Sequence, residues 1–183
     1  MSRPAFFLDR DGTINVDHVY INDPARIELI PGAAAAIARA RMAGYLIVVV
    51  TNQSGIGRGI IDPIAMPFIH SRLDILLSGA GGPGSKIDRY ELCVHHPDED
   101  CACRKPKPFL VQEAAKALDI DISRSVFVGD KLTDVGTGIN AGCRFSILVR
   151  TGKGEEEEKL DQGFAPSYVA DDLSAAVDWA LSR

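Results

Sequence analysis

The stretch Phe6-Phe7-Leu8-Asp9-Arg10-Asp11-Gly12-Thr13 decides the fold of this chain. Its three apolar residues are typical of the end of a buried parallel strand. Two carboxylates follow with one residue between them, and Gly12 lets the chain turn away. Carboxylates this close repel each other in a partly dry site unless a cation or a shared proton relieves them. The stretch therefore predicts a bound Mg²⁺, a proton on one carboxyl group, or both. The structural alternative is an ordinary strand followed by an Asp-Gly turn.

Alternating apolar runs and helical patterns continue outward from this stretch. The patterns predict an α/β fold with a single doubly wound parallel sheet, in one domain over residues 1–183. The glycine-rich segment 51–59 is expected to be a loop, and 79–85 a flexible connector. Strands are predicted over 5–8, 45–50, 88–94, 125–130, 145–149 and 168–169, and helices over 33–42, 64–77, 109–118, 133–141 and 173–181.

The composition is that of a globular protein, with 183 residues of which 46% are hydrophobic and 25% charged. A net charge of −5 argues against nucleic acid or an anionic membrane as the main partner. No apolar run approaches the roughly 20 residues of a membrane span, and the first strand begins too early to leave room for a signal peptide. We expect a monomeric, cytoplasmic protein that binds neither nucleic acid nor a membrane.

Polar side chains follow three predicted strands that are far apart in the sequence. The carboxyl ends of parallel strands meet at one edge of a sheet, where α/β proteins bind their ligands. Carboxylates that hold Mg²⁺, together with amides and a cation that offset negative charge, suit phosphoryl transfer. The residues expected there are Asp9 and Asp11, Thr51 and Asn52, Asp130 with Asp134 nearby, and the basic pair Arg104-Lys105.

A second cluster of possible ligands lies in the irregular segment after the third strand. Cys93, Cys101 and Cys103 occur within eleven residues, together with His95 and His96. Three thiolates and one imidazole form a closed tetrahedral zinc site, whereas structural disulfides are rare in a reducing compartment. The alternative is that the cysteines are incidental and the histidines are polar loop residues. We predict a structural Zn²⁺ in a loop over about 93–103, with either histidine as the fourth ligand.

The motifs together resemble the haloacid dehalogenase-like phosphatases. The run from Asp9 to Thr13 has the form DxDGT, and Thr51, Lys105 and Asp130 match the remaining motifs in order and spacing. More narrowly, residues 7–15, 51–56, 103–106 and 129–132 resemble the family of D-glycero-D-manno-heptose 1,7-bisphosphate 7-phosphatases. No large insertion interrupts the motifs, so the chain resembles the capless branch of the superfamily. The family pattern C-x-H…C-x-C selects His95 as the zinc ligand.

The resemblance implies a role for each motif residue. Asp9 is the expected nucleophile, and Asp11 the acid and base that carries a proton beside its charged neighbour. Thr51, the Asn52 amide and Lys105 are expected to hold the phosphoryl group. Mg²⁺ would be bound by Asp9, the main-chain carbonyl of Asp11 and Asp130, while Asp134 orients its neighbours.

The same resemblance implies the substrate, a small-molecule sugar bisphosphate whose heptose product supplies lipopolysaccharide core or related surface glycans. Arg104 is expected to grip the second phosphate through its planar guanidinium. A histidinol-phosphate phosphatase would share every catalytic residue, and a zinc-stapled binding module without turnover is the non-enzymatic alternative. The positions expected to contact substrate are Arg10, Asp17, His18, Val19, Tyr20, Asn52, Gln53, Ser54, Arg104 and Lys131.

Overall fold

The protein, here a computed structural model that describes residues 2–183, is built around one six-stranded sheet. The strands are β1 (Ala5–Leu8), β2 (Leu46–Asn52), β3 (Arg89–Cys93), β4 (Val126–Gly129), β5 (Phe145–Val149) and β6 (Tyr168–Ala170). All neighbouring strands are parallel, in the spatial order β3-β2-β1-β4-β5-β6. The chain leaves β1 and β4 toward opposite edges, so the region beyond their carboxyl ends is a topological switch point.

Helices cover both faces of this sheet. They are α1 (Ala33–Met42), α2 (Ser54–Gly57), α3 (Ala65–Gly81), α4 (Phe109–Leu118), α5 (Leu132–Ala141), α6 (Gly154–Glu157) and α7 (Leu173–Leu181). Short 3₁₀ turns occur at Pro24–Arg26 and Ile122–Arg124. The predicted doubly wound parallel sheet is confirmed, and residues 2–183 contain no separate cap domain. Within the same residues, no helix is both long and apolar enough to cross a membrane.

The apolar run in β1 is continuous because both faces of the strand are buried. Phe6 and Leu8 pack with residues of α1, α3 and α7, whereas Ala5 and Phe7 pack on the opposite face with residues of α4. All four residues are at most 1% exposed. A strand that is covered on both sides needs no alternation of apolar and polar residues.

Three differences from the sequence prediction exceed one residue at the end of an element. The strand predicted over 45–50 continues through Asn52, because Thr51 and Asn52 keep the parallel register with β3. The predicted loop 51–59 contains the one-turn helix α2. The expected connector 79–85 is instead helical through Gly81, which approaches the backbone of Ala34 so closely that a Cβ would lie 2.8 Å from its carbonyl oxygen. This contact between helices outweighs the low helix propensity of glycine.

Candidate active site at the carboxyl edge of the sheet

A cavity of about 350 Å³ lies at the carboxyl ends of β1, β2 and β4. It brings together most of the residues that the sequence placed in the site, and adds Gly55, Thr133 and Lys153. Its lining is Asp9, Asp11, Asp17, Val19, Tyr20, Thr51, Asn52, Gln53, Ser54, Gly55, Arg104, Lys105, Lys131, Thr133, Asp134 and Lys153. The cavity therefore offers carboxylates, hydroxyls, amides and four cationic side chains to a polar ligand.

Lys105 is the buried cation at the centre of the site. Its Nζ lies 2.8 Å from Asp9 Oδ1 and 2.6 Å from Asp134 Oδ1, and it donates to the Val50 carbonyl at 2.9 Å. Burial lowers the pKa of Lys105, but the carboxylates of Asp134 and Asp9 outweigh burial and raise it. Lys105 is therefore an ammonium ion, and it places a fixed positive charge against the Asp9 carboxylate.

Asp130, the first residue after β4, is fully buried and only partly satisfied. Its Oδ2 accepts a hydrogen bond from the Lys153 amide at 2.9 Å, whereas no residue in 2–183 donates to Oδ1. Gly12 and Gly152, both with positive φ, pack so closely that a Cβ on either would lie about 2.2–2.3 Å from Oδ2. Burial, together with the Asp9 and Asp134 carboxylates, raises the pKa of Asp130 to about 8.

These carboxylates form a site that fits a hard divalent cation. Asp9, Asp130 and Asp134 each offer an oxygen atom, these atoms lie within 4.8 Å of one another, and all three residues are buried. Oxygen ligands of this kind suit Mg²⁺, and a cation would bind Asp130 Oδ1, which accepts no hydrogen bond within residues 2–183 and lies 3.8 Å from Lys131 Nζ. The sequence named Asp9, Asp11 and Asp130 as ligands. The third carboxylate in this cluster is that of Asp134, which leaves the main-chain carbonyl as the contribution expected from Asp11.

The Asp11 carboxylate is held apart from that cluster by four nitrogen donors. Arg10 Nε and Asn15 Nδ2 donate to Oδ1 at 3.1 and 2.9 Å, and Arg10 Nη2 and Gln53 Nε2 donate to Oδ2 at 2.7 and 2.9 Å. Burial raises the pKa of Asp11, but the Arg10 charge and the four hydrogen bonds outweigh burial and lower it. The four donors therefore favour the ionised form of Asp11 in this conformation, and its expected role as the acid and base stays a prediction.

Two residues that were expected to contact substrate do not line the cavity. Arg10 is fully buried, with its guanidinium on Asp11 and its Nη1 3.9 Å from Met66 Sδ. The expected contact between Arg10 and substrate is not observed, because the position of Arg10 directly after β1 directs its side chain into the core under α3. His18 is half-buried. Its neighbour Val19 is 74% exposed and lines the cavity in a γ-turn closed by the Tyr20 amide on the His18 carbonyl at 2.8 Å.

The cavity wall at the end of β2 is hydrogen-bonded to Asp11 and to the backbone of Lys105. Gln53 Nε2 donates to Thr51 Oγ1 at 2.9 Å as well as to Asp11. Asn52 Oδ1 accepts from the Lys105 amide at 3.2 Å. These contacts place a hydroxyl, an amide and an ammonium on neighbouring parts of one wall, where they can bind phosphate oxygens.

Arg104 and Lys153 are cationic side chains at the cavity with few hydrogen bonds or ion pairs to the rest of the protein. Arg104 Nη1 is buried without a hydrogen-bond partner among residues 2–183, and Lys153 Nζ is 4.0 Å from the exposed Glu156. Sequence reasoning missed Lys153, because its approach depends on the turn at Gly152 and on its backbone bond to Asp130. The signal available in the sequence was the Thr-Gly-Lys run that follows shortly after β5.

The cysteine and histidine cluster has the dimensions of a closed zinc site. Cys93 Sγ lies 3.6 Å from Cys101 Sγ, Cys101 Sγ lies 3.7 Å from Cys103 Sγ, and His95 Nδ1 lies 3.8 and 3.1 Å from Cys93 and Cys103. The edge of a tetrahedron with ~2.3 Å metal–sulfur bonds is roughly 3.8 Å. Burial and the neighbouring sulfurs raise the pKa of Cys103 to about 12, so a cation is needed to keep three thiolates together. His96 lies outside the cluster.

This zinc loop is continuous with the residues that enter the cavity. Cys103 is followed directly by Arg104 and Lys105. On its other side, the loop packs against α2: a Cβ on Gly57 would lie 2.4 Å from the His96 amide nitrogen. The loop therefore supports two walls of the cavity at once.

Comparisons with known proteins agree with this geometry. Residues 102–176 match the model of the HAD-hydrolase-like family. The D-glycero-D-manno-heptose-1,7-bisphosphate 7-phosphatase of Thermosynechococcus vestitus is 39% identical over 195 residues, which covers 100% of this chain and 98% of that protein. The D-glycero-beta-D-manno-heptose-1,7-bisphosphate 7-phosphatase of Vibrio cholerae is 42% identical over 160 residues, covering 84% of each chain.

A solved structure extends the likeness to the fold. The D,D-heptose 1,7-bisphosphate phosphatase of B. bronchiseptica, crystallised with magnesium and phosphate, superposes with a TM-score of 0.85 at 35% identity. The superposition covers 98% of each chain. With this level of identity over nearly its whole length, the chain belongs to the D-glycero-D-manno-heptose-1,7-bisphosphate 7-phosphatase family of HAD-hydrolase-like proteins.

Proposed function

We propose that this chain is a Mg²⁺-dependent phosphatase that removes the 7-phosphate from D-glycero-D-manno-heptose 1,7-bisphosphate. The observation that carries the proposal is the Asp9 carboxylate held 2.8 Å from the buried Lys105 ammonium in a cavity of about 350 Å³. That pair offers a nucleophile beside a fixed positive charge, which is the arrangement that phosphoryl transfer requires. The names of the relatives and the magnesium and phosphate in the B. bronchiseptica structure support the same reaction.

The reaction would proceed in two displacements at phosphorus. In the first, an Asp9 carboxylate oxygen attacks, the bond from phosphorus to the 7-oxygen breaks, and Asp11 in its protonated form gives a proton to the leaving alkoxide. In the second, the Asp11 carboxylate takes a proton from water, which attacks the aspartyl phosphate and releases inorganic phosphate and Asp9. The four donors around Asp11 favour the ionised carboxylate, which is the form that this second step needs.

The remaining residues would bind charge and hold position. Thr51, the Asn52 amide and Lys105 are suited to hold phosphoryl oxygens, and Lys105 also keeps Asp9 ionised. Asp9, Asp130 and the main-chain carbonyl of Asp11, with Asp134 close by, would hold Mg²⁺. When bound, the metal supplies positive charge that offsets the charge of the transferring phosphoryl group.

The electrostatics of the cavity favour a bisphosphate over histidinol phosphate. Arg104, Lys131 and Lys153 line the cavity in addition to Lys105. Two of them are available for a second phosphate, and the buried Nη1 of Arg104 lacks any partner of its own. Histidinol phosphate carries one phosphate and an ammonium group, which these cations would repel. A non-catalytic binding module is disfavoured because Asp9, Asp11, Lys105 and Asp130 are all retained.

The proposal includes a monomer that acts on a small molecule in the cytoplasm. Three cysteines of the zinc loop have free thiols and lie close together. Thiols this close stay reduced in a reducing compartment such as the cytoplasm. The heptose 1-phosphate product would serve the synthesis of nucleotide-activated heptose for lipopolysaccharide core or surface glycans.

Phosphorus NMR of the reaction products tests the proposal. We expect heptose 1,7-bisphosphate to yield inorganic phosphate and a product that keeps its anomeric phosphate, and we expect chelation of Mg²⁺ to stop the reaction. The kcat/KM for heptose 1,7-bisphosphate should exceed the kcat/KM for histidinol phosphate by at least about 100-fold, since the second phosphate contributes charged hydrogen bonds. Loss of the anomeric phosphate, or a higher kcat/KM for histidinol phosphate, would overturn the proposal.

A further inference from the structure

Arg10 stands between Asp9 and Asp11 in the sequence, yet its own side chain does not line the cavity. Its residue exposure is 0%, and it is the largest side chain in the buried interior. Nε and Nη2 bind the two different oxygens of Asp11 at 3.1 and 2.7 Å. A planar guanidinium bound to both oxygens fixes the plane of the carboxylate as well as its position.

The negative charge that pairs with Arg10 is the Asp11 carboxylate. Within residues 2–183, the salt bridge of Arg10 is the one to Asp11, and its remaining Nη1 faces Met66 Sδ at 3.9 Å. Asp11 itself remains at the cavity, with its side chain 18% exposed and its two other donors coming from Asn15 and Gln53. The ion pair therefore connects a side chain in the protein interior, Arg10, with a side chain at the cavity, Asp11.

We propose that Arg10 is a positioning residue for proton transfer, because its guanidinium fixes the direction of the Asp11 carboxylate without touching the substrate. The inference rests on the proposed function, which makes Asp11 the acid and base. Asn15 and Gln53 each donate to a single oxygen of Asp11, and the same amide nitrogens also donate to the Val16 carbonyl and to Thr51 Oγ1, both at 2.9 Å. All three donors are buried, but Arg10 alone binds both oxygens of Asp11 with one rigid group.

The simplest competing explanation is that Arg10 contributes only to folding. A buried ion pair that loses one partner destabilises a protein wherever it lies. A structural role and a positioning role differ in their dependence on Asp11. If Arg10 acts through Asp11, its removal has no further effect on catalysis once Asp11 cannot transfer protons.

A double-mutant cycle on the magnesium-loaded enzyme separates these roles. Arg10→Met, Asp11→Asn and the double variant are compared with the native chain on heptose 1,7-bisphosphate, with enzyme in excess so that slow single turnovers are measurable. We expect Arg10→Met to lower the chemical rate by about 10- to 100-fold while the KM of the same variant in steady state changes less than about threefold. In the Asp11→Asn background, the same change should lower the rate less than about twofold.

Two further variants keep the test decisive. Arg10→Lys retains the charge but cannot bind both oxygens in one plane, so its loss should be smaller and should also vanish in the Asp11→Asn background. If Arg10→Met does not fold, Arg10→Lys carries the cycle. Arg39→Met, which removes a half-exposed arginine bound to Asp178 at 2.9 Å, is the matched control and should leave the rate unchanged.

Additive losses in the cycle would overturn the inference, as would an Arg10→Met variant that folds and keeps the native rate. Neither result would affect the proposed function, because the native enzyme would still release phosphate from the bisphosphate. A native enzyme without that turnover would instead contradict the proposed function itself.

Discussion

At the scale of single residues, two buried cations bind different carboxylates of the site. Lys105 bridges Asp9 and Asp134 in the interior, and Arg10 holds Asp11 beside them. The nucleophile candidate and the proton-transfer candidate are two residues apart in the sequence, yet each has its own cation. Their environments therefore differ, which is the condition for two neighbouring carboxylates to perform different tasks.

Arg104 gives a residue-scale prediction about specificity. Arg104 lines the cavity and its Nη1 has no hydrogen-bond partner within residues 2–183. We therefore expect Arg104→Ala to lower kcat/KM for the bisphosphate by about 10- to 100-fold, since a hydrogen bond to a charged group contributes about 1.5–3 kcal/mol. Hydrolysis of an aryl monophosphate should change less than about twofold. Steady-state kinetics on both substrates measures the split, with the exposed Arg58→Ala as a cation-removal control. Equal losses on both substrates would remove Arg104 from recognition of the second phosphate.

Val19 gives a second residue-scale prediction, about stability. It is a β-branched residue with φ of +66° in a turn at the cavity mouth, and such a conformation costs on the order of 1–3 kcal/mol. Val19→Gly should therefore raise the free energy of unfolding by about 1 kcal/mol after the entropy cost of glycine, and raise Tm by about 2–4 °C. Val19→Ala keeps the Cβ and should show no gain. Calorimetry that finds the glycine variant no more stable than the alanine variant would refute the strain.

At the scale of elements, the zinc loop connects folding to catalysis. It leaves β3 at Cys93, closes on itself at Cys103, and delivers Arg104 and Lys105 to the cavity. The Lys105 amide is then fixed to Asn52 of β2 at 3.2 Å. A closed four-ligand site has no position for a reactive water, so its contribution is to the shape of the loop.

Replacement of one zinc ligand tests that contribution. Cys101→Ser should abolish stoichiometric zinc binding, lower Tm by roughly 5 °C or more, and reduce kcat/KM because the Lys105 segment loses its anchor. Cys143→Ser is the matched control, since Cys143 lies outside the metal cluster. Metal analysis and thermal unfolding are measured on the same samples. A Cys101→Ser variant with native Tm and full activity would mean that zinc has no structural role.

Much of the arrangement at this scale could be predicted from the sequence. The bounds of β5, α4 and α7 match the prediction because continuous apolar runs and periodic helical faces mark them directly. The end of α3 could not be predicted, since it depends on the contact between Gly81 and Ala34. The burial of Arg10, the place of Asp134 in the carboxylate cluster and the approach of Lys153 depend likewise on tertiary packing, which no local pattern records.

At the scale of the whole molecule, the sheet brings distant carboxylates into one buried cluster whose charge opposes folding. Burial, Asp9 and Asp134 raise the pKa of Asp130 to about 8. The folded protein without metal therefore binds a proton that the unfolded chain releases at lower pH, and its stability falls as pH rises between the ordinary Asp pKa of 3.8 and about 8. A divalent cation should remove this loss, because it binds the ionised form.

The dependence on Mg²⁺ is a whole-molecule prediction that thermal unfolding can measure. The increase in Tm on adding Mg²⁺ to chelator-treated protein should be larger at about pH 8 than at about pH 6, by an amount on the order of 1 kcal/mol of unfolding free energy. Asp130→Asn should abolish most of this increase, whereas the exposed Asp161→Asn should retain it. An increase that is the same at both pH values would contradict the assignment of Asp130 to the cation.

The most direct test of the account is to locate the phosphoryl group on the enzyme during turnover. The reaction with heptose 1,7-bisphosphate is quenched in acid, the acyl phosphate is reduced with borohydride to homoserine, and the peptides are sequenced by mass spectrometry. The account predicts homoserine at position 9, only in the presence of substrate and Mg²⁺, and none in Asp9→Asn. Homoserine at Asp11, Asp130 or Asp134, or turnover without any acyl phosphate, would contradict it.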